Sequence, residues 1–478
     1  MQRKFLGNLF LLQALNWLIK PIWIFWIERL TQINLGDEWY GRYFIIFNFG
    51  LLFNILLDFG LNNYVSASVG RSGNPAVAKP ILRLRFFLGL GYIAMVLGLG
   101  MWQNFDPLIL LLVVANQFLA GFTLFFRAVL QGRHMFKTDS IVSVIDRTVA
   151  IFICAFFIYS TQFKGRDGIL IFLSAQTVGY AIACASAAFF AYRKQESKLP
   201  LVDDVKIQTL IKQTAWFAVL AFAMSVFTRI DAWMIHSLAK NSDAEAGLYA
   251  QSFRLLDAAL IFSSLISTML LPVFSRTLSE NKNTDSMVWL NTRIVLFVAL
   301  PAVLGASFFG HEILQLLYKK SYADESEFLK ALQIFIPLMS CFIPMALVHI
   351  FGTWLTAAHR VKFLSFLAIT CMAVNIGLNF VFIPKYGAWG AAYSCLFTQS
   401  AFAIGCILRG YSLNAFQWIW LRFGNLILWL ILSVSVFYFT QGVFEGILGL
   451  LFACASYIVV TFLSGIFWKE IKRFFGLS

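Results

Sequence analysis

Residues 107–130 read PLILLLVVANQFLAGFTLFFRAVL, and Arg127 is the first charge in the run. Coiled as a helix, these 24 residues extend about 36 Å at about 1.5 Å each, more than a hydrocarbon core of roughly 30 Å. One such run also fits the centre of a large soluble domain. Working outward removes that reading. Comparable stretches lie at 5–28, 41–65, 84–103, 139–160 and 168–191, then at 209–236, 247–275, 290–309, 329–352, 360–383 and 386–408, and finally at 419–440 and 444–467. The longest polar connection, around 192–212, leaves no room for a separate soluble domain. The predicted fold class is an all-α polytopic membrane protein with about 14 transmembrane helices.

Composition agrees. Of the 478 residues 60% are hydrophobic and only 13% charged, about half the charged share of a soluble domain, roughly 25%. The short alternating segments of a β-barrel are absent. The seven Cys lie inside apolar runs without a CxxC, and five scattered His give no ligand spacing, so no metal or cofactor is predicted.

A net charge of +14 would point a soluble protein toward nucleic acid. Here its distribution gives another cause. Counted with the span edges, the N-terminal tail, the connections after even-numbered spans and the C-terminal tail total +17, while the connections after odd-numbered spans total −3. Cytoplasmic loops are the Lys- and Arg-rich ones, so both termini are predicted to be cytoplasmic, with no nucleic-acid partner. Arg71, Lys79, Arg83, Arg85, Arg133, His134 and Lys137 then read as face charges touching anionic membrane lipids.

The chain also echoes itself. Gly41–Arg42–Tyr43 opens span 2 and Gly247–Leu248–Tyr249 opens span 8, each after an acidic connection; Leu130–Lys137 and Leu355–Lys362 match around His134 and His359. Two six-span lobes follow, residues 1–200 and 201–410, with spans 13 and 14 and a tail in 411–478.

Between spans 11 and 12 the sequence runs NIGLNFVFIPKYGAWGAAY from Asn375 to Tyr393. Pro384 has no N–H and is predicted to end span 11, Gly387 and Gly390 permit a tight turn, and Asn375 and Asn379, one helical turn apart, can bridge to a neighbouring span. With Gly41–Arg42–Tyr43 and the run Asp58–Phe59–Gly60–Leu61, this stretch resembles the bacterial exporters of polysaccharide and lipid-linked oligosaccharide, of the O-antigen flippase type. Their superfamily also holds multidrug extruders and peptidoglycan-precursor flippases. The resemblance covers nearly the whole chain. It implies a secondary transporter in a bacterial cytoplasmic membrane that moves a polyprenyl-diphosphate oligosaccharide to the outer leaflet, with polysaccharide polymerase machinery as a further partner.

Charges inside spans are costly enough to be site candidates. Lys20, before Pro21, and Arg229 and Arg254 are the candidate substrate path, since a diphosphate needs cationic donors. Arg229 lies roughly 25 Å along its helix from Lys212. It can instead pair with Asp231, as Arg254 can with Asp257. Asp58, Asp231, Asp257, Arg127, Asp146 and Arg147 are gate or coupling candidates, for a proton or sodium ion. Trp17, Trp23, Trp26, Trp39, Trp216 and Trp233 fit either sugar stacking or interface belts. Two rivals remain: a cation-coupled multidrug or metabolite exporter of the same fold, and a membrane polymerase or glycosyltransferase. The second would need a large loop with a catalytic cluster, which the sequence lacks.

Overall fold

The computed structural model describes residues 15–16, 18–72, 74–160, 163–193, 207–319, 322, 324–416, 420–444 and 446–466. The start of span 1, Trp17, most of the polar connection after span 6 and the C-terminal tail lie outside them, as do the side chains of Arg71 and Lys212. Among the described residues, eleven helices are long and apolar enough to cross a membrane. They carry spans 3 to 14, because Val361–Ser412 turns at Gly387 (φ 60°) and holds spans 11 and 12. The run passes through Pro384 as helix, so the glycine ends span 11 rather than the proline: only a residue that tolerates positive φ fits the turn.

Spans 1 and 2 are irregular. Span 1 continues through Pro21 and widens to a π-helix over Trp23–Glu28. The helix Arg29–Leu52 then breaks at Gly36 (φ 73°), where span 1 ends and span 2 begins. Span 2 breaks again after Leu52: Phe59 (φ 45°) and Gly60 (φ 77°) separate Ile55–Asp58 from Leu61–Ser72. Such interruptions free backbone groups that only protein or a wetted cavity can satisfy.

The ends of the regular spans follow capping chemistry. Asp106 accepts from Leu108 N (3.0 Å) and Ile109 N (3.3 Å), with Pro107 in the first turn, and Asp324 accepts from Glu327 N (2.9 Å). Spans 4 and 10 close on the same turn. His134 and His359 both take φ 57°, and Met135 N donates to Leu130 O as Arg360 N does to Leu355 O, each at 2.9 Å. The two matched sequence stretches therefore share one backbone.

Contacts gather the chain into two compact units, residues 1–251 with 379–388, and residues 252–378 with 389–478. In the first unit span 6 presents Gly179, Ala183, Ala187 and Ala191 at a spacing of four. A Cβ on Gly179 would collide with Asp146 O of span 5, and Ala187 and Ala191 pack with Phe125, Val129 and Leu130 of span 4. Lipid tails are as apolar as leucine, so close approach through small residues, not exclusion from water, holds these helices together. In the second unit Trp429, Phe437 and Tyr457 of spans 13 and 14 pack on Leu296, Leu300 and Phe309. Phe152, Phe439 and Leu463 are 71%, 68% and 80% exposed, an outer surface suited to lipid.

Arg85 departs from the sequence expectation. It is fully buried rather than a face charge, donating to Asn62 Oδ1 (2.7 Å) and Gly121 O (2.6 Å), with Asp58 at 3.7 Å. The break in span 2 creates this site. Asp58 and Asn62 flank the αL pair and reach span 3 together, while Phe122 and Phe125 cover the guanidinium.

Candidate functional site

Lys20, Arg127, Asp146 and Arg147 come together in the first unit. Lys20 is half-buried, lies within electrostatic range of Arg147, Arg127 and Asp146, and makes no hydrogen bond or ion pair among the described residues. Its two cationic neighbours are braced. Arg127 Nε donates to Asp139 Oδ1 (2.6 Å), whose other oxygen accepts from Gln131 Nε2 (3.0 Å). Arg147 stacks on Trp23 (4.8 Å), donates to Tyr180 OH (3.0 Å) and lies 3.8 Å from Asp146. The π-helix puts Trp23 against span 5, next to Lys20 on the same helix. With Arg127 and Arg147 each beside a carboxylate, Lys20 is the charge left to attract an anion.

Beside this cluster runs a cavity of about 120 Å³ lined by Tyr43, Asn54, Asn116, Gln117, Gln176 and Tyr180 among others. Amides and aromatic rings of this kind suit a saccharide better than an ion. Asp139, Gln176 and Tyr180 carried no sequence signal. They become visible only when spans 4, 5 and 6 are in place.

A second group lies where spans 2, 7 and 8 meet. Gly41 and Gly247 face each other's chains reciprocally: a Cβ on Gly41 would overlap Asp243 O, and one on Gly247 would overlap Asp37 O. Side chains clamp the contact. Arg42 Nε donates to Asp243 Oδ2 (2.7 Å) and its Nη2 to Glu38 Oε1 (2.6 Å), while Gln251 donates to Asp37. Arg42 also stacks on Trp39 (4.6 Å), and both line a cavity of about 280 Å³ with Phe105, Asp106, His236 and Asp243. The repeated Gly-x-Tyr was the signal for this contact.

Arg229 and Asp231 lie two residues apart on span 7. Arg229 reaches Asn48 Oδ1 (3.5 Å), whereas Asp231, 1% exposed, accepts from Tyr249 OH (2.8 Å) and Asn379 Nδ2 (2.7 Å). Asn379 thus bridges to span 7 and Asn375 to Thr398 of span 12 (3.4 Å). Glu245, not singled out by sequence, accepts from Ala388 N (2.8 Å) beside Gly387, and a Cβ on that glycine would meet the carboxylate. Gly390 is buried, and its carbonyl accepts from Ser394 Oγ (3.0 Å). Arg254 lies in the second unit and pairs with Asp257 (3.3 Å).

Comparison with known proteins follows the same lines. A family model described as lipid II flippase MurJ matches residues 104–458. A probable low-salt glycan biosynthesis flippase, Agl15, of Haloferax volcanii is 23% identical over 177 residues, 37% of this chain. The match spans 36% of that relative's length, about a third. A solved lipid II flippase MurJ in an inward closed conformation superposes with a TM-score of 0.67 at 14% identity, covering 98% of this chain and 99% of that one. An inward-facing multidrug resistance MATE family transporter of the MOP superfamily gives 0.65 at 13% identity, covering 82% and 94%. At such identities the structural likeness speaks for the fold.

Proposed function

Because the chain belongs to the lipid II flippase MurJ family, we propose that it is a transporter that flips a polyprenyl-diphosphate-linked oligosaccharide from the inner to the outer leaflet of a bacterial cytoplasmic membrane. The observation that carries this reading is Lys20, a membrane-embedded ammonium with no carboxylate partner among the described residues, set beside two braced guanidinium groups. A diphosphate brings negative charge and several acceptor oxygens, and the site offers charge-assisted donors where water is scarce. Amides and aromatic rings in the neighbouring cavity suit the first sugar. The prenyl tail stays in lipid.

Alternating access supplies the cycle. Residues 1–200 and 201–410 act as two lobes, and the reciprocal contact of Gly41 and Gly247 is the outer gate, both termini being cytoplasmic. Arg229 and, in the second unit, Arg254 are the further candidate residues of the substrate path. An ion, proton or sodium, drives the cycle, with Asp58, Asp231 and Asp257 as candidate carriers. Anionic lipids hold the basic inner face, and polysaccharide polymerase machinery receives the product. Fold likeness to MATE transporters favours one rival, a cation-coupled exporter of drugs or metabolites. A dominant acidic site would suit that cargo, and the Lys20 cluster does not.

The test is binding of a short-chain, water-soluble prenyl-diphosphate N-acetylglucosamine by calorimetry. Wild type binds, and Lys20→Gln weakens binding about ten- to a hundredfold, the worth of one charge-assisted hydrogen bond. Equal affinity in the two proteins removes Lys20 from the path. Preference for an organic cation over the diphosphate selects the rival.

A further inference from the structure

Four of the five histidines sit in turns or at helix ends: His134, His236, His311 and His359. His349 lies inside the helix Phe342–Ala357 of span 10, eight residues or about 12 Å from its end. An ionisable ring at that depth needs a reason, and its hydrogen bonds indicate one.

His349 Nδ1 lies 2.8 Å from Ser263 Oγ of span 8. Ser263 Oγ also donates to Leu260 O (3.2 Å), an arrangement in which the serine accepts from the ring and Nδ1 carries the hydrogen. In that tautomer the lone pair lies on Nε2, for which no partner occurs among the described residues. One turn on, Thr353 donates to His349 O (2.6 Å), so Ser267 Oγ donates to Thr353 Oγ1 (2.5 Å). These paired hydroxyl contacts, four residues apart on both helices, hold the ring in place.

Charged groups on the neighbouring elements are engaged elsewhere. On span 8, Arg254 pairs with Asp257 (3.3 Å) and Arg276 with Glu280 (2.9 Å). On span 9, Arg293 donates to Ile466 O, and the Asp285 amide donates to Asn283 Oδ1 (2.7 Å) at the start of the helix. On Glu325–Ser340, Glu325, Glu327 and Lys330 lie in the first two turns, and Arg409 of span 12 stacks on Phe363 (5.5 Å). His349 makes no ion pair among the described residues, so a proton on Nε2 changes the charge of its surroundings by a full unit.

We propose that His349, rather than the engaged carboxylates Asp58, Asp231 and Asp257, is the binding site of the coupling proton, taken up on Nε2 while Nδ1–H stays bonded to Ser263. The step converts imidazole to imidazolium and breaks no other bond. It rests on the transporter reading. The charged ring is favoured by water and disfavoured by apolar surroundings, so a half-buried imidazole that is wetted in one state and dried in the other changes its proton affinity over the cycle, which coupling requires.

Two readouts test it. In ¹⁵N-histidine-labelled protein in lipid nanodiscs, the resonances absent from His349→Gln report an Nδ1–H tautomer whose Nε2 takes a proton on acidification. An Nε2–H tautomer, or a ring that takes no proton before the protein unfolds, overturns the proposal. In proteoliposomes, a pH gradient of about one unit speeds wild-type lipid translocation in one polarity by up to about tenfold. His349→Gln loses the stimulation when each protein is compared with its own gradient-free rate, and Ser263→Ala moves the pH profile of translocation. Equal stimulation of His349→Gln, or none of wild type, overturns the proposal. Absence of any wild-type translocation counts against the flippase reading instead, and the resonance titration still decides the proton site.

Discussion

At the scale of single residues, charge inside the membrane is handled in three ways. Arg85 is fully enclosed, its donors given to Asn62 and the Gly121 carbonyl. Replacing it with leucine strands those acceptors and should destabilise the protein by about 3 kcal/mol, read as a large fall in thermal midpoint in detergent. An unchanged midpoint would make the enclosure incidental. Arg127 and Arg147 are braced beside Asp139 and Asp146 and hold shape. Lys20 alone of this cluster has no partner among the described residues. Lys20→Gln should therefore leave folding stability within about 0.5 kcal/mol of wild type while weakening substrate binding about ten- to a hundredfold, a split that a structural lysine does not give. The lysine was legible in the sequence because a charge before a proline inside an apolar run stands out. Its neighbours were not, because spans 1 and 5 meet only in three dimensions, and Arg85 at a span edge reads the same whether it faces lipid headgroups or a buried amide.

Elements carry the mobile parts. Spans 2 and 8 touch through two glycines where any Cβ would strike a carbonyl, so Gly247→Ala should fold but hold the contact apart. Spin labels at Asn34→Cys and Asn241→Cys should report a longer distance in that variant, with transport lost; an unchanged distance would show that the contact yields. Capping sets the other ends. Arg166, bonded to Asp106 (2.6 Å), holds that carboxyl below the usual carboxylate range, helped by the Leu108 and Ile109 amides. A carboxylate lowered in the folded state stabilises above its unfolded value near pH 4, and that contribution fades as pH falls through the folded value. Asp106→Asn keeps the cap but loses the ion pair with Arg166, so it should be slightly less stable than wild type at pH 7, with the gap closing in strong acid. Span number was legible, since apolar length is a one-dimensional property. The positive-φ breaks at Gly36, Phe59–Gly60 and Gly387 were legible only as glycines, because their turns depend on what packs beside them.

For the whole molecule, two echoes in the sequence recur in backbone geometry. The turns at His134 and His359 match bond for bond, and the Gly-x-Tyr pair meets reciprocally, although the matching residues share little else. The family model places the chain in the lipid II flippase MurJ family and the superposed structures share its fold, while the proposal of a lipid diphosphate as cargo rests on the cationic cluster. The most direct measurement is leaflet translocation of a fluorescent undecaprenyl-diphosphate oligosaccharide in proteoliposomes, with the same oligosaccharide on a neutral lipid as control. The account predicts protein-dependent movement of the diphosphate lipid, lost in Lys20→Gln, and none of the neutral one. Equal movement of both lipids, or uptake of an organic cation in place of either, would contradict it.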